Sequence, residues 1–255
     1  MSDQTPPSNP MPAQDCLQQR VILVTGAGQG LGRAAALAFA RHGATVILAG
    51  RKQNKLETLY DEMVTAGLPE PLIFPLDMEK ATEDDYKAMA EGIYQQLGRL
   101  DGILHNAAHF DRLGPLEINT AKEFERMFRV NVIAPFALTK ACLPLLKMAA
   151  DASVIFVSSS AGHEASAYWG AHGISKQALE HLMQTWSLEL QQYPNIRLNV
   201  VIPGAVQSPQ RKKSHPGEVH ADLPSADGLT RQYVHLMSAD GKDVRGQIIL
   251  PLNLA

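Results

Sequence analysis

A glycine-rich segment from Thr25 to Gly32 has the residue types needed to bind a phosphate group. Its sequence is TGAGQGLG, and it lies between the apolar run VILVT and a small-residue stretch that starts at Arg33. Glycines between a strand and a helix let backbone N–H groups and the positive end of the helix dipole approach a phosphate. A turn that only packs a helix on a strand also uses small residues, but three glycines at this place favour phosphate binding.

Two cations follow the second apolar run, in the sequence Gly50-Arg51-Lys52. A dinucleotide site for NAD has an acidic residue about 20 residues past the glycines, where it accepts a hydrogen bond from the ribose 2′-hydroxyl. This chain has no acid there, and two cations are suited to bind a 2′-phosphate, unless both side chains simply lie in water. The pair therefore favours NADP over NAD.

His172 and Lys176 form a second candidate for chemistry, because four residues make about one helical turn and place both side chains on the same face. Imidazole titrates near pH 6.5, which suits a group that exchanges a proton at neutral pH. A neighbouring ammonium disfavours the imidazolium, so we expect Lys176 to lower the pKa of His172 and keep the ring neutral.

These residues require a scaffold, and the hydrophobic pattern predicts a parallel sheet between helices. Seven short apolar runs alternate with amphipathic segments; strands this apolar are covered on both faces. We expect one α/β domain, a seven-stranded parallel sheet with helices on both faces, over residues 20–255, preceded by a flexible Pro-rich tail over residues 1–19. The expected strands are Val21–Thr25, Thr45–Ala49, Leu72–Phe74, Gly102–His105, Ser153–Ser158, Arg197–Ile202 and Gln247–Leu250; the expected helices include Arg33–His42, Lys55–Thr65, Tyr86–Leu97 and Ala121–Leu146, and Gln207–Asp227 is expected to be a surface loop that covers a site.

The composition excludes several classes of protein. The 255 residues carry a net charge of −3 and are 45% hydrophobic, which fits neither a basic nucleic-acid-binding protein nor a disordered chain. Cys16 and Cys142 have no metal-ligand spacing and favour a reducing compartment. The polar N-terminal segment has no apolar core like that of a signal peptide, so we expect a soluble, cytoplasmic protein that binds neither nucleic acid nor membrane.

Several motifs, in the same order, resemble those of the classical short-chain dehydrogenase/reductase family, and within it a subgroup of poorly characterised bacterial oxidoreductases. The resemblance extends from Gln19 to the C-terminus and includes the TGxxxGxG turn, the sequence HNAA that begins at His105, and Pro203-Gly204 followed by Ser208. It implies a Rossmann-type three-layer sandwich that binds NADP. The residues that it implies for cofactor binding are Gly26, Gly28, Gln29, Gly30, Leu31, Gly32, Arg51, Lys52, Asp77, Asn106, Ala107, Lys176, Pro203, Gly204 and Ser208.

The same resemblance implies a catalytic tetrad of Asn131, Ser159, His172 and Lys176, in which His172 stands where the family has tyrosine. In the family, the tyrosine protonates the substrate carbonyl as hydride arrives, and the lysine lowers the pKa of the tyrosine and binds the nicotinamide ribose. The serine holds the carbonyl oxygen, and the asparagine supports a water chain. The implied function is that of an NADP(H)-dependent oxidoreductase that interconverts a carbonyl and an alcohol. The histidine is expected to weaken or alter this activity.

Histidine in this position leaves three hypotheses. In the first, His172 is the acid–base group, directly or through a bridging water, since imidazole is shorter than phenol. A neutral ring accepts a proton in the oxidative direction more readily than it supplies one in the reductive direction. In the second, the protein binds NADP without turnover. In the third, His172 is an introduced substitution.

Three further residues are predicted to line the substrate pocket: His163, Tyr168 and Trp169. Tyr168 is two helical turns before Lys176, so it is not expected to replace the missing tyrosine. His215 and His220 lack the spacing of a zinc site, and no metal is expected. The resemblance also implies a small-molecule substrate and a homodimer or homotetramer.

Overall fold

The central sheet consists of seven parallel strands in a computed structural model that describes residues 12–251. The strands are β1 (Val21–Thr25), β2 (Thr45–Gly50), β3 (Leu72–Pro75), β4 (Gly102–His105), β5 (Ala152–Val157), β6 (Ile196–Val201) and β7 (Ile248–Ile249). Their order is β3-β2-β1-β4-β5-β6-β7, and every neighbouring pair is parallel. β1, β4, β5 and β6 are buried along their whole length, as central strands covered on both faces are, and this burial includes the polar residues Arg197 and Asn199 of β6.

Helices cover both faces of the sheet, as a parallel sheet requires. They are α1 (Gly30–Arg41), α2 (Gln53–Thr65), α3 (Glu83–Leu97), α4 (Ala121–Phe128), α5 (Ala134–Met148), α6 (Ser160–His163), α7 (Gly170–Glu189), α8 (Pro209–Ser214) and α9 (Asp227–Met237). One core layer packs Met89 of α3, Leu138 of α5 and Met183 of α7 on the sheet. The other packs Phe39 of α1 and residues of α2 and α9 on the opposite face. The predicted α/β fold with its seven-stranded parallel sheet is confirmed.

The strand order reverses between β1 and β4, which both pair with their neighbours in parallel. Loops that leave the carboxyl ends of these two strands must diverge to opposite faces of the sheet, and the crevice between them is where open α/β sheets bind ligands. The loops after β1, β4, β5 and β6 therefore determine the site.

Two predicted elements differ from the structure. The predicted helix Ala121–Leu146 is interrupted at residues Arg129–Ile133, which form a π-helical turn between α4 and α5. Hydrophobic periodicity cannot detect one wider turn within a helix, because the apolar stripe continues through it. The predicted loop Gln207–Asp227 contains the short helix α8. Ser208 caps its N-terminus, where the Ser208 hydroxyl oxygen accepts a hydrogen bond from the Arg211 amide.

The helical stretch Ala121–Met148 is long and apolar enough to cross a membrane by length and composition. More than half of its apolar window is buried inside the fold, where the stretch packs against α3 and α7. These properties are those of a core helix in a layered α/β domain.

The described part of the predicted flexible tail, residues 12–19, packs on the domain. Leu17 is fully buried in the core layer of α1, and its amide donates to the carbonyl oxygen of His42 at 3.0 Å. The prediction of a flexible segment through residue 19 is therefore wrong for these last residues. Residues 1–11 of the predicted tail lie outside the described residues.

Candidate active site

A cleft of about 380 Å³ lies at the carboxyl ends of the strands. Seventeen of the predicted site residues line it, which brings both candidate groups of the sequence together in one place. They are Gly26, Gly28, Gln29, Gly30, Leu31, Arg51, Lys52, Asp77, Asn106, Ala107, Ser159, Trp169, His172, Lys176, Pro203, Gly204 and Ser208.

The glycine turn connects β1 to α1 through a backbone that has no room for side chains at two positions. Gly26 has a φ of +68°, and a Cβ there would lie 3.0 Å from the Cα of Ala107. A Cβ on Gly32 would lie only 2.4 Å from the carbonyl oxygen of Gly26. Gly32 is behind the cleft wall, so it shapes the turn without lining the cleft.

Thr25 joins the glycine turn to the loop after β4. Its hydroxyl oxygen accepts hydrogen bonds from the amides of Asn106 and Ala107 at 3.1 and 3.0 Å and donates to the carbonyl oxygen of Leu104. The Asn106 side-chain amide donates back to the carbonyl oxygen of Thr25 at 3.2 Å. These bonds hold the two loops of the switch point in a fixed relation.

Three cations surround one end of the cleft. Arg51 and Lys52 follow β2 and are exposed. Sequence analysis missed Lys55, which lies on α2, lines the same end of the cleft, and donates through Nζ to Oε1 of Gln29 in the glycine turn at 2.5 Å. Its position four residues after Arg51, at the start of the predicted helix Lys55–Thr65, was the available signal.

Asn131 lies in the π-helical turn and is fully buried, behind the cleft wall. Its Oδ1 accepts from the amide of His109 at 2.7 Å, and its Nδ2 donates to the carbonyl oxygen of His109 and to Oγ of Ser175 at 3.1 and 3.0 Å. Such π-turns occur frequently at functional sites. Here the turn presents Asn131 so that it fixes the main chain of His109 in the cleft wall.

His172 is buried in an aromatic pocket at the other end of the cleft. Its ring centroid lies 5.4 Å from that of Phe110, in an edge-on arrangement, and 5.6 Å from that of Trp169. Burial, more than the charge of Lys176, lowers the pKa of His172 to about 3, so the ring is neutral at physiological pH. The sequence predicted the direction of this shift but named only the smaller of these two causes.

The hydrogen bonding of His172 assigns its tautomer. Nδ1 lies 3.3 Å from the carbonyl oxygen of His109, and because a carbonyl oxygen only accepts, Nδ1 carries the hydrogen. Nε2 then has a free lone pair, and it is buried with no partner in the described chain. The ring therefore offers one hydrogen-bond acceptor, which suits a ligand hydroxyl.

Lys176 lies one turn after His172 on α7 and is also buried. Its Nζ donates to the carbonyl oxygen of Val157 at the end of β5 at 2.7 Å. Burial lowers the pKa of Lys176 to about 8, although the negative charge of Glu180 opposes the shift. A cation that loses its proton this readily is suited to exchange protons near neutral pH.

The loop after β5 contains two serines with different surroundings. Ser159 lines the cleft, and its Oγ accepts from the amide of Gly162 at 3.2 Å, which leaves its hydroxyl hydrogen available to a ligand. Ser158 is buried and donates to Oε1 of Glu180 at 2.5 Å. Both serines line the cleft, but only the hydroxyl hydrogen of Ser159 is free of a partner within the described residues.

Two residues predicted for the substrate pocket lie outside the cleft. His163 pairs through Nδ1 with Oε2 of Glu180 at 3.1 Å, because the short helix α6 directs its side chain to α7. Tyr168 is 61% exposed and has a φ of +71°, which turns its side chain to solvent. The structure does not bring these two residues into the cleft, while Trp169 does line it.

The side chain of His109 was missed by sequence analysis and lines the cleft beside the aromatic pocket. Its Nε2 lies 2.7 Å from Oδ1 of Asp111, which in turn lies 3.7 Å from Nη1 of Arg126. The available signal was the spacing of His109 three residues after Asn106, with an acid two residues later.

The family model described as short chain dehydrogenase matches residues 20–219. Among curated proteins, the chain is 37% identical over 235 residues to the uncharacterised oxidoreductase YciK of Escherichia coli K12, and the match covers 92% of each chain.

Solved structures share the whole fold with this chain. One from Escherichia coli CFT073, solved as a complex with NADPH, has 38% identity and a TM-score of 0.90 over 94% of this chain and 99% of that one. Another from Shigella flexneri 2a, solved as a complex with NADP, has 36% identity and a TM-score of 0.90 over 93% and 99% of the two chains.

Proposed function

This chain belongs to the short chain dehydrogenase family, and on that premise we propose that it is an NADP(H)-dependent oxidoreductase that interconverts a carbonyl compound and an alcohol. The observation that carries the proposal is that Ser159, His172 and Lys176 line the same cleft as the glycine turn. Residues suited to hold a dinucleotide and residues suited to bind an oxygen thus meet at the switch point of the sheet.

The residues at the cation-rich end of the cleft fit NADP. The backbone of the glycine turn at the start of α1 would meet the pyrophosphate, since no side chain fits at Gly26 or Gly32. Arg51, Lys52 and Lys55 would meet the 2′-phosphate. We call this part of the cleft the adenosine end, and the part with Ser159, His172 and Lys176 the reaction end. When bound, NADPH supplies hydride and NADP accepts it.

The reaction end is arranged to hold an oxygen between two hydrogen-bonding groups. Ser159 has a hydroxyl hydrogen to donate, and His172 Nε2 has a lone pair to accept. An alcohol hydroxyl satisfies both, because it accepts one hydrogen bond and donates another. A carbonyl oxygen satisfies only Ser159, so the site favours binding of the alcohol.

A second function, NADP binding without turnover, is favoured by one observation. With a pKa of about 3, His172 is too weak a base to retain a proton at neutral pH. The two functions make different predictions about turnover by the native protein, and both expect tyrosine at this position to increase it.

Turnover with an alcohol and aldehyde panel tests the proposal. We expect the native protein to reduce NADP with benzyl alcohol or another member of the panel, and His172→Tyr to increase kcat about tenfold or more, since a positioned acid–base group contributes about 10²–10⁴ in rate. His181→Gln, an exposed change on α7, serves as the control. Tight NADPH binding by the native protein without turnover, together with turnover by His172→Tyr, would establish the binding function instead.

The same proposal includes the assembly and location of the protein. We propose a homodimer or homotetramer that acts on a small molecule in the cytoplasm. Cys16 and Cys142 are both free thiols, which supports a reducing compartment. Size-exclusion chromatography with light scattering measures the assembly directly.

A further inference from the structure

His109 combines two features that no other cleft residue has. Its main chain is fixed by Asn131 from both sides and accepts the hydrogen bond from His172. Its side chain lines the cleft and is held by a carboxylate. A titratable ring is therefore placed next to the reaction end on a backbone that cannot shift.

The contact with Asp111 determines which nitrogen of His109 is free. An ionised carboxylate only accepts, so Nε2 carries the hydrogen that binds Oδ1 at 2.7 Å. Nδ1 then has the lone pair of the neutral ring. Nδ1 has no hydrogen-bond partner within residues 12–251 and is not fully buried. Because the ring lines the cleft, this nitrogen is accessible to a ligand there.

Asp111 is itself held in place. Its Oδ1 lies 3.7 Å from Nη1 of Arg126, and Nε of Arg126 donates to Oε2 of Glu79 at 2.9 Å. On α7, His172 lies close enough for a charge on the His109 ring to lower the pKa of His172. Asp111 thus lies between Arg126 and the ring, and it orients the ring through the hydrogen on Nε2.

His172 lacks these properties. Its Nε2 is buried without a second protein group to which a proton could pass, and its Nδ1–H is directed at a carbonyl oxygen that cannot take the proton. A proton accepted by Nε2 could leave only by the same atom. The ring is therefore suited to orient a hydroxyl and is unsuited to carry its proton away.

We propose that His109, oriented by Asp111, is the general acid and base of the carbonyl–alcohol interconversion, an inference that rests on the proposed function. In the reductive direction the Nδ1–H bond of His109 breaks and an O–H bond forms on the substrate oxygen, directly or through one water, as the carbonyl carbon receives hydride from NADPH. The products are the alcohol, NADP and a neutral His109, which takes a new proton from solvent. Oxidation reverses each step.

The kinetic test compares His109→Gln with Asp111→Asn and with the exposed control His181→Gln, using the alcohol on which the native protein is active. We expect His109→Gln to lower kcat about 100-fold and to remove the acidic limb of the kcat–pH profile. Asp111→Asn should lower kcat about tenfold, because it orients the ring without taking the proton. NADPH titration by fluorescence should give a Kd within twofold of native for all three variants.

A readout independent of activity is the ¹⁵N NMR spectrum of the histidine rings with NADP bound. We expect one ring with the Nε2–H tautomer that is protonated at Nδ1 on acidification, that disappears in His109→Gln, and that loses its tautomer preference in Asp111→Asn. An Nδ1–H tautomer for this ring, or an unchanged kcat–pH profile in His109→Gln, would overturn the assignment and leave the proposed function intact. Absence of turnover by the native protein would overturn both.

Discussion

The adenosine end and the reaction end of the cleft obtain their chemistry in opposite ways. At the adenosine end, backbone groups of the glycine turn and exposed cations face the cleft, and none of Arg51, Lys52 and Lys55 is buried. At the reaction end, His172 and Lys176 are 2% and 3% exposed, and burial lowers the pKa of both. The first end depends on shape and on total charge, whereas the second depends on which single side chain occupies each position.

This difference determines how each end should respond to substitution. A backbone turn without side chains tolerates changes in its neighbours as long as the glycines remain. A buried pair of titratable side chains has no such tolerance, since exchanging one side chain for another changes the charge state, the length and the hydrogen bonding together. In this chain His172 contacts the main chain of His109, whose ring is bound by a carboxylate in the adjacent wall.

The largest expected effect is at the adenosine end. In Gly32→Ala, the new Cβ would lie 2.4 Å from the Gly26 carbonyl oxygen, so the turn must shift. We expect about 1–3 kcal/mol of lost stability and at least a tenfold weaker NADPH affinity, measured by urea unfolding and fluorescence titration. Gly92→Ala is the matched control, because Gly92 is also helical but has nothing within 4 Å. That control should gain about 0.5–1 kcal/mol. Equal effects of both changes would contradict the close packing of the turn.

The next effect is at the reaction end and concerns acid stability. The pKa of His172 is about 3 in the folded protein and about 6.5 in the unfolded chain, so between these values the unfolded chain binds the extra proton. The free energy of unfolding must therefore fall as the pH drops below 6.5, by up to about 1.4 kcal/mol per pH unit from this residue. His172→Phe should remove that part of the slope, measured by urea unfolding between pH 7.5 and 4.5.

Two controls define this acid effect. His105 is also fully buried, and burial lowers its pKa to about 3, so the His172→Phe variant should still lose stability in acid, with a slope that is shallower by one proton. His181→Gln removes an exposed imidazole on the same helix and should leave the slope unchanged. An unchanged slope in His172→Phe would mean that the ring is hydrated in solution.

The sequence was sufficient to predict the sheet, the glycine turn and the position of the cation-rich end, because each depends on local patterns. The run VILVT before the turn at Gly26 indicates a buried strand followed by a phosphate loop without any knowledge of distant residues. The helix layers on both faces follow because a parallel sheet must be covered and its crossovers are right-handed, whereas the order of the strands was not predicted.

The rest could not be predicted, because it depends on contacts between segments far apart in the chain. The bond between Asn131 and His109 joins residues 22 positions apart through a π-turn that leaves no trace in the hydrophobic pattern. The desolvation of His172 results from Phe110, 62 positions earlier in sequence, and Trp169 closing on the ring. The contact of His163 with Glu180 on α7, 17 positions later in sequence, is likewise invisible to local patterns.

The smallest expected effect is again at the adenosine end, where Lys55→Gln tests whether charge or shape recognises the 2′-phosphate. Because Lys55 is partly exposed, its screened charge should contribute about 1 kcal/mol, so the Kd for NADP should rise about fivefold and that for NAD should not change. Isothermal titration with both cofactors measures this, with the exposed Lys242→Gln, remote from the cleft, as the control. Equal loss of both cofactors would show that Lys55 acts through its 2.5 Å bond to Gln29, and so through the shape of the turn.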